Sequence, residues 1–370
     1  MQSPAVIPAT RRRASPIARA ACAVYALLLL YSGLAPWSGW RDLGIDAFAY
    51  LSAPIPRYIT HFDLSVNVIA YLPFGALLVL ALYPQTRGLL AIALAALAGL
   101  LLSGAVEAAQ TFLPSRIPSN LDLLTNALGS VAGAVIAAPF AATLIDRGRL
   151  VEWRHRWFER HTTAALIALA LWPAAQIYPE PMLFGNGDMR SSLEPLVNAL
   201  GGQWWQFEAE QFGPAEFVLA EAFVVASSLL AVGLALCSVL RRKAPRYRIL
   251  IALVVASLAA KTVGNAVQFG PERALAWLTP GAFGGIALAV LSLAAATGGT
   301  RAWQSRLAWV ALAALLLAVN TIPENPYFLA QLQEWRQGRL LNFNELTGWL
   351  STLWPLALAA GLAMRRAVRD

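Results

Sequence analysis

Runs of about twenty consecutive apolar residues recur along this chain, and they constrain its fold more than any other feature. A helix of about 20 apolar residues is long enough to cross the hydrocarbon core of a bilayer. Backbone polar groups in lipid must be satisfied within the segment, so these runs predict helices rather than open strands. Hydrophobic residues make up 58% of the 370 residues and charged residues only 13%, which excludes an ordinary soluble domain.

The sequence therefore predicts an all-α polytopic membrane protein with about ten transmembrane helices. The apolar runs cover residues 17–35, 64–83, 88–112, 121–144, 162–178, 213–240, 249–268, 278–297, 306–320 and 346–363. Most of the 28 Lys and Arg residues fall in alternate loops. The positive-inside rule places those loops, and with them both termini, in the cytoplasm. The net charge of +8 thus reports membrane orientation and does not indicate a nucleic-acid partner.

An Arg-rich segment divides the chain. Residues 146–161 are predicted to form a basic cytoplasmic linker. The four spans before it would form a four-helix membrane module over residues 1–145. The six spans after it would form a C-terminal membrane module over residues 162–370. The cysteines and histidines show no spacing typical of metal ligands, so neither a metal site nor a cofactor is predicted.

Polar residues interrupt the apolar helices of the N-terminal module at regular intervals. They are Asp63, Asn67, Glu107, Gln110, Arg116, Asp122 and Asn126. A carboxylate within a membrane costs about 2.5–3.5 kcal/mol on insertion scales, so such residues mark a functional site by default. Counting at ~1.5 Å per residue places Asn67, Glu107 and Asn126 at one depth below the outer surface. We expect these three side chains to face one another, with Asp122 or Arg116 beside them.

The residue types suggest chemical roles. The candidate catalytic residues, a possible acid–base set, are Glu107, Asp63 and Asp122. The candidate ligand-binding residues are Asn67, Gln110, Arg116 and Asn126, with Arg116 suited to a phosphate. Structural alternatives stay open. Ser119 and Asp122 have the spacing of a helix capping box, and the asparagines are also suited to hydrogen bonds between helices.

The same stretch resembles the VanZ-like family of bacterial membrane proteins. The matching residues are Asp63-x3-Asn67 with Leu72-Pro73-Phe74-Gly75, Glu107-x2-Gln110, Pro114-x-Arg116, Ser119-x2-Asp122, Asn126-x2-Gly129 and Gly133. The resemblance covers roughly residues 40–140 and does not extend to the last six spans. It implies a role in the cell envelope, and the family takes its name from resistance to the glycopeptide teicoplanin.

A second polar set lies in the C-terminal module. Lys261, Asn265 and Gln268 fall on one face of the span 249–268, and Glu221 lies in the outer part of the span before it. An unpaired ammonium in a membrane is costly. We therefore expect an ion pair between Lys261 and Glu221, with Asn265 as the alternative partner. A functional role for Lys261 is the competing interpretation.

Three classes of function are open. The first is an outer-leaflet enzyme that modifies lipid-linked head groups, and the second is a proton-coupled transporter. Transporter sites usually lie near the midplane, so a cluster near one face counts against the second. The third is a binding or assembly factor. Our hypothesis is a multi-pass protein of the bacterial cytoplasmic (inner) membrane. It would bind or help handle a lipid-linked or cell-surface component, with membrane lipids or a lipid-linked envelope precursor as partner.

Overall fold

The chain is built of helices joined by loops. The computed structural model describes residues 15–35, 37–54, 61–145, 149–208, 212–323 and 341–367. No β-strand occurs within these ranges. The prediction of an all-α polytopic membrane protein is therefore confirmed. The helices form two compact units, Met1–Glu152 and Trp153–Asp370.

The N-terminal unit contains four long apolar helices. They are α1 (Pro16–Leu34), α2 (His61–Leu82), α3 (Gly88–Gln110) and α4 (Asn120–Ala137), followed by the short α5 (Ala141–Ile145). A further short helix, α6 (Arg149–Trp157), contains the boundary between the units. Within the N-terminal unit, α2 packs against α4, α4 also packs against α3, and α1 packs against both α2 and α3.

The backbones of α2 and α4 touch. A Cβ atom at Gly133 would lie 1.8 Å from the carbonyl oxygen of Leu72. A Cβ atom at Gly129 would lie 2.3 Å from the carbonyl oxygen of Val68. Only a hydrogen fits at these two positions, so Gly129-x3-Gly133 is a small-residue contact of the kind that lets membrane helices approach closely.

The C-terminal unit contains the remaining helices. They are α7 (Thr163–Ala175), α8 (Arg190–Ala199), α9 (Pro214–Val239), α10 (Arg246–Phe269), α11 (Pro280–Ala296), α12 (Arg301–Thr321) and α13 (Leu341–Ala367). The central helix is α9, which packs against α11 and α12 and is buried over most of its length. In the same unit, α13 packs against α7. After Glu221, α9 carries no charged residue, and a helix segment that is predominantly apolar on every side suits such a buried position.

All ten predicted apolar runs are helical over most of their length. In the described ranges, 8 helices are long and apolar enough to cross a membrane. The other two apolar helices are shorter, since α7 has 13 residues and α11 has 17. The predicted span 162–178 thus ends early, at Ala175, and the chain continues as a non-helical segment in which residues 182–187 are buried. The number of crossings and the orientation of the chain stay predictions.

Candidate functional site

A short turn joins α3 to α4 and fixes the first carboxylate. Ser119 is the N-cap of α4, and its hydroxyl accepts hydrogen bonds from the N–H groups of Leu121 and Asp122. The N–H of Ser119 itself donates to Oε2 of Glu107 over 2.8 Å. In a capping box this N–H would bond the third residue of the helix, which is Asp122. Glu107 on α3 takes that place, so the cap of one helix holds the carboxylate of another.

Glu107 is almost completely enclosed, with 3% of its surface exposed. The charges of Asp122 and Arg116 act on it with opposite signs. The charge of Glu107 acts on two phenols. They are those of Tyr71 on α2 and of Tyr50, which precedes α2 in the chain. Burial and, to a lesser extent, the charge of Glu107 raise the pKa of Tyr50. The carboxylate of Glu107 therefore lies near the charges of Asp122 and Arg116 and near both phenols.

Amide side chains connect the other helices to this centre. Nδ2 of Asn67 on α2 donates to Oδ1 of Asp122 over 2.8 Å. Nδ2 of Asn126 on α4 donates to the hydroxyl of Ser103 on α3 over 2.9 Å. Oδ1 of Asn126 is buried and has no hydrogen-bond partner. We call these residues the Glu107 cluster: Asn67, Ser103, Glu107, Asp122 and Asn126.

Two of the predicted ligand-binding residues contact the end of α1 instead. Nε2 of Gln110 donates to the carbonyl oxygen of Gly33 over 2.8 Å. Nε and Nη2 of Arg116 donate to the carbonyl oxygen of Ala35 over 3.1 and 2.9 Å. The last carbonyl groups of a helix have no partner within it, so these bonds complete α1. They favour a structural role for both residues, and a phosphate contact of Arg116 stays a prediction.

We expected the side chains of Asn67, Glu107 and Asn126 to face one another, and the structure links them only through other residues. All three belong to one cluster, but none bonds another directly: Asn67 bonds Asp122, Glu107 accepts from Ser119, and Asn126 bonds Ser103. Asp63 lies in α2, but its side chain is outside the described residues. Ligand binding or catalysis by the cluster stays a prediction.

Two contributors to this site, Ser103 and Tyr50, were not predicted from the sequence. Ser103 precedes Glu107 by four residues, so helical spacing was the signal that would have found it. Tyr50, whose hydroxyl donates to the carbonyl oxygen of Gly104, lies on a short 3-10 helix between α1 and α2 and carries no such signal.

In the C-terminal unit, the polar face of α10 contacts the non-helical segment that follows α7. Nζ of Lys261 donates to the carbonyl oxygens of Tyr178 and Glu180 over 3.4 and 3.3 Å. Nε2 of Gln268 donates to the carbonyl oxygen of Ile177 over 2.7 Å. Non-helical backbone in an apolar environment needs partners for its carbonyl groups, and these two side chains supply them.

The predicted direct ion pair between Lys261 and Glu221 is not formed. Glu221 accepts a hydrogen bond of 2.6 Å from the hydroxyl of Thr279 instead. Its charge still acts on Lys261, but that of Glu180 acts more strongly. The prediction failed because Glu180, which lies outside the predicted spans, is buried and its backbone carbonyl contacts Lys261 on α10. Asn265, the alternative partner, is buried on the same helix.

Glu180 belongs to a buried hydrogen-bond network that was not predicted from the sequence. The hydroxyl of Ser351 donates to Oε1 of Glu180, and Nδ2 of Asn186 donates to Ser351 over 2.7 Å. Nε2 of Gln176 donates to Oδ1 of Asn186. Glu180 and Ser351 are 171 residues apart, so no local spacing could reveal their contact.

Comparison with known proteins supports the resemblance of the N-terminal unit. Residues 22–142 match the model of the VanZ/LLP1 family. The VanZ-like assignment is thereby confirmed for this part of the chain, and every member of the Glu107 cluster lies within it. Searches of the curated proteins and of the solved structures return no match.

Proposed function

We propose that this multi-pass protein resides in the bacterial inner membrane. There it would bind the polar head of a lipid-linked or cell-surface component at the Glu107 cluster. The observation that carries the proposal is the carboxylate of Glu107, buried within an apolar helix of a VanZ-like unit. An acidic side chain in a membrane helix is expensive, so its presence indicates a use beyond packing.

The cluster favours a head group rich in hydrogen-bond donors. Glu107 and Asp122 present carboxylates, and Oδ1 of Asn126 is a buried acceptor without a partner. Hydroxyl, amine and amide N–H groups, which sugars and peptides carry, are the complementary donors. Arg116 directs two of its nitrogens to the carbonyl oxygen of Ala35, which weighs against a phosphate as the main contact.

Hydrogen bonding within the cluster favours binding over catalysis. Glu107 accepts from the N–H of Ser119, and Asp122 accepts from Asn67. A network of this kind preorganises a binding site because it fixes each side chain. An outer-leaflet enzyme that uses Glu107 as its acid or base is the alternative. A proton-coupled transporter is the third possibility.

Lipid and cell-wall precursor profiles distinguish these functions. We would compare a deletion strain complemented with the wild type, with Glu107→Gln, or with Glu152→Gln as a control at an exposed carboxylate. A binding protein predicts the same chemical species in every strain, with a changed amount of one envelope component in the deletion and Glu107→Gln strains. A new or accumulated chemical species would contradict binding and indicate an enzyme. A component that only changes sides of the membrane would indicate a transporter.

A role of the teicoplanin-resistance type is the finer proposal that the VanZ-like unit supports. It is tested by expressing the chain in a teicoplanin-sensitive Gram-positive host, where no outer membrane excludes the drug. We expect the wild type and Glu152→Gln to raise the inhibitory concentration and Glu107→Gln to abolish the increase. Equal susceptibility of hosts with the wild type and with an empty vector would reject this role.

A further inference from the structure

One end of the C-terminal unit is built around two consecutive residues, Phe158 and Glu159, which follow α6. Their backbone pairs with the end of α9. Phe158 forms an antiparallel bridge with Leu240, and the N–H of Glu159 donates to the carbonyl oxygen of Val239 over 3.0 Å. This pairing holds the segment before α7 against the loop after α9.

Three guanidinium groups reach these two residues from different segments of the chain. Nη1 of Arg154 on α6 donates to the carbonyl oxygen of Glu159 over 2.7 Å. Nε of Arg241, in the loop after α9, donates to the carbonyl oxygen of Phe158 over 3.0 Å. Nη1 of Arg301, the first residue of α12, lies 2.9 Å from Oε1 of Glu159. We call Arg154, Arg241 and Arg301 the arginine triad.

Positive charge is in excess at the arginine triad. Among the described residues, Glu159 supplies the one carboxylate that forms an ion pair with it, so two of the three positive charges are not paired there. Burial and, to a lesser extent, the nearby charge of Arg241 lower the pKa of Arg154. Arg242 and Lys243 follow in the chain and are both exposed. A bound anion would offset this repulsion between like charges.

Arg241 also has hydrogen-bond donors that the described part of the protein does not use. Its Nε is held by Phe158, whereas its two Nη groups have no hydrogen bond within the described ranges. The residue is partly exposed, so a ligand can approach these two nitrogens. A guanidinium that is fixed through Nε presents its remaining N–H groups as a fork, and this fork matches two oxygens of one phosphate.

Exposed aromatic side chains lie at the same end of the unit. Tyr247 at the start of α10 is 54% exposed, and its hydroxyl lies 3.3 Å from that of Thr297 at the end of α11. Trp303 in the first turn of α12 is 45% exposed. Tyr and Trp at the ends of apolar helices are typical of the membrane–water interface. The basic loops of this end are those that the positive-inside rule assigns to the cytoplasm.

We propose that the arginine triad binds the phosphate of an anionic lipid head group in the cytoplasmic leaflet, with the Nη groups of Arg241 as the direct contact. Basic pockets at the cytoplasmic ends of membrane helices commonly hold such head groups. The proposal does not rest on the function assigned to the Glu107 cluster, because it concerns other residues, in the other unit, and another ligand.

Native mass spectrometry of the full chain in mild detergent tests the proposal by titration with phosphatidylglycerol, phosphatidylcholine or inorganic phosphate. The wild type should bind phosphatidylglycerol more tightly than the zwitterionic phosphatidylcholine. Arg241→Gln should weaken the binding of the first phosphatidylglycerol by about tenfold, because a hydrogen bond between charged groups is lost. Arg241→Lys should lie between the two, since it keeps the charge and loses the fork.

Arg87→Gln is the matched control. Arg87 is an exposed arginine of the N-terminal unit, in another loop predicted to be cytoplasmic, and its Nε also donates to a backbone carbonyl oxygen, that of Pro84. This variant should bind phosphatidylglycerol as the wild type does. Equal affinity of the wild type and Arg241→Gln would overturn the proposal, and so would an equal loss in Arg87→Gln, which would indicate attraction by net charge alone.

Inorganic phosphate distinguishes a lipid from a free anion. Displacement of phosphatidylglycerol by an equal concentration of inorganic phosphate would overturn the proposal, because the site would then bind the anion without the lipid. Unfolding curves recorded without added lipid check that each variant is folded. If Arg241→Gln does not fold, Arg241→Lys makes the test, and wild-type affinity in that variant would exclude the fork as the contact.

Discussion

Glu107 in the N-terminal unit and Glu180 in the C-terminal unit are both buried carboxylates, but they are held differently. Glu107 lies on a regular helix, and the cap of a neighbouring helix and side chains from helices in backbone contact surround it. Glu180 lies on non-helical backbone beside Lys261 and bonds a serine far along the chain. The first site depends on close helix packing and on hydrogen bonds from neutral donors to carboxylates, and the second depends on polar partners for a buried ammonium and a buried carboxylate.

The largest effect is expected for loss of charge balance in the C-terminal unit. Lys261→Met should lower the free energy of unfolding by about 3 kcal/mol, because removing one partner leaves buried charges uncompensated. Adding Glu180→Gln should recover most of this loss, and adding Glu221→Gln should recover less, since Glu180 acts more strongly on Lys261. Thermal unfolding in detergent measures all three variants. Equal recovery by the two double variants would contradict the unequal coupling.

The next effect tests the packing of the N-terminal unit. Gly133→Ala should cost about 2–3 kcal/mol, because the added methyl group overlaps the backbone of α2. Gly104→Ala is the control in the same unit, since its Cβ would meet nothing closer than 3.5 Å. Unfolding measurements should show the control to be at least as stable as the wild type. Equal stability of the two variants would mean that the α2–α4 contact is not required.

Helix caps provide a smaller contrast between the units. Ser119→Ala removes the cap of α4 and should cost about 1 kcal/mol. Thr279→Ala removes the cap of α11 and also the hydrogen bond to Glu221, so it should cost about 2 kcal/mol, because a bond to a charged group adds to the cap. Parallel unfolding curves of the two variants make the comparison. A larger loss for Ser119→Ala would contradict the expected contribution of the hydrogen bond from Thr279 to Glu221.

Among these variants, the smallest effect on stability is expected for Glu107→Gln. Glu107→Gln should change the free energy of unfolding by less than about 1 kcal/mol, because the amide oxygen still accepts from Ser119. Glu107→Leu should cost about 1–3 kcal/mol, because the N–H of Ser119 then loses its partner. Both variants lack the charge, and only Gln keeps an acceptor for the N–H of Ser119. The difference between their free energies of unfolding, measured by thermal unfolding, therefore reports the hydrogen bond alone. If both variants unfold alike, the bond to Ser119 does not hold the site.

The contrast also explains how far the sequence alone could lead. Apolar runs predicted the helices, and the spacing of Asn67, Glu107 and Asn126 pointed to one region, because regular helices convert spacing into position. The contact of Gly129-x3-Gly133 was foreseeable for the same reason. Glu180 and Ser351 were not foreseeable, because irregular backbone and long sequence separation leave no period to recognise.

The central claim, that Glu107 belongs to a binding site, is tested most directly by what remains bound to the purified protein. Wild type, Glu107→Gln and Glu152→Gln would be purified from the native membrane in mild detergent, and their bound components identified by mass spectrometry. The account predicts one envelope component, with sugar or peptide N–H and O–H donors, that is enriched with the wild type and with Glu152→Gln and depleted at least several-fold with Glu107→Gln. The same bound components in all three samples would contradict it.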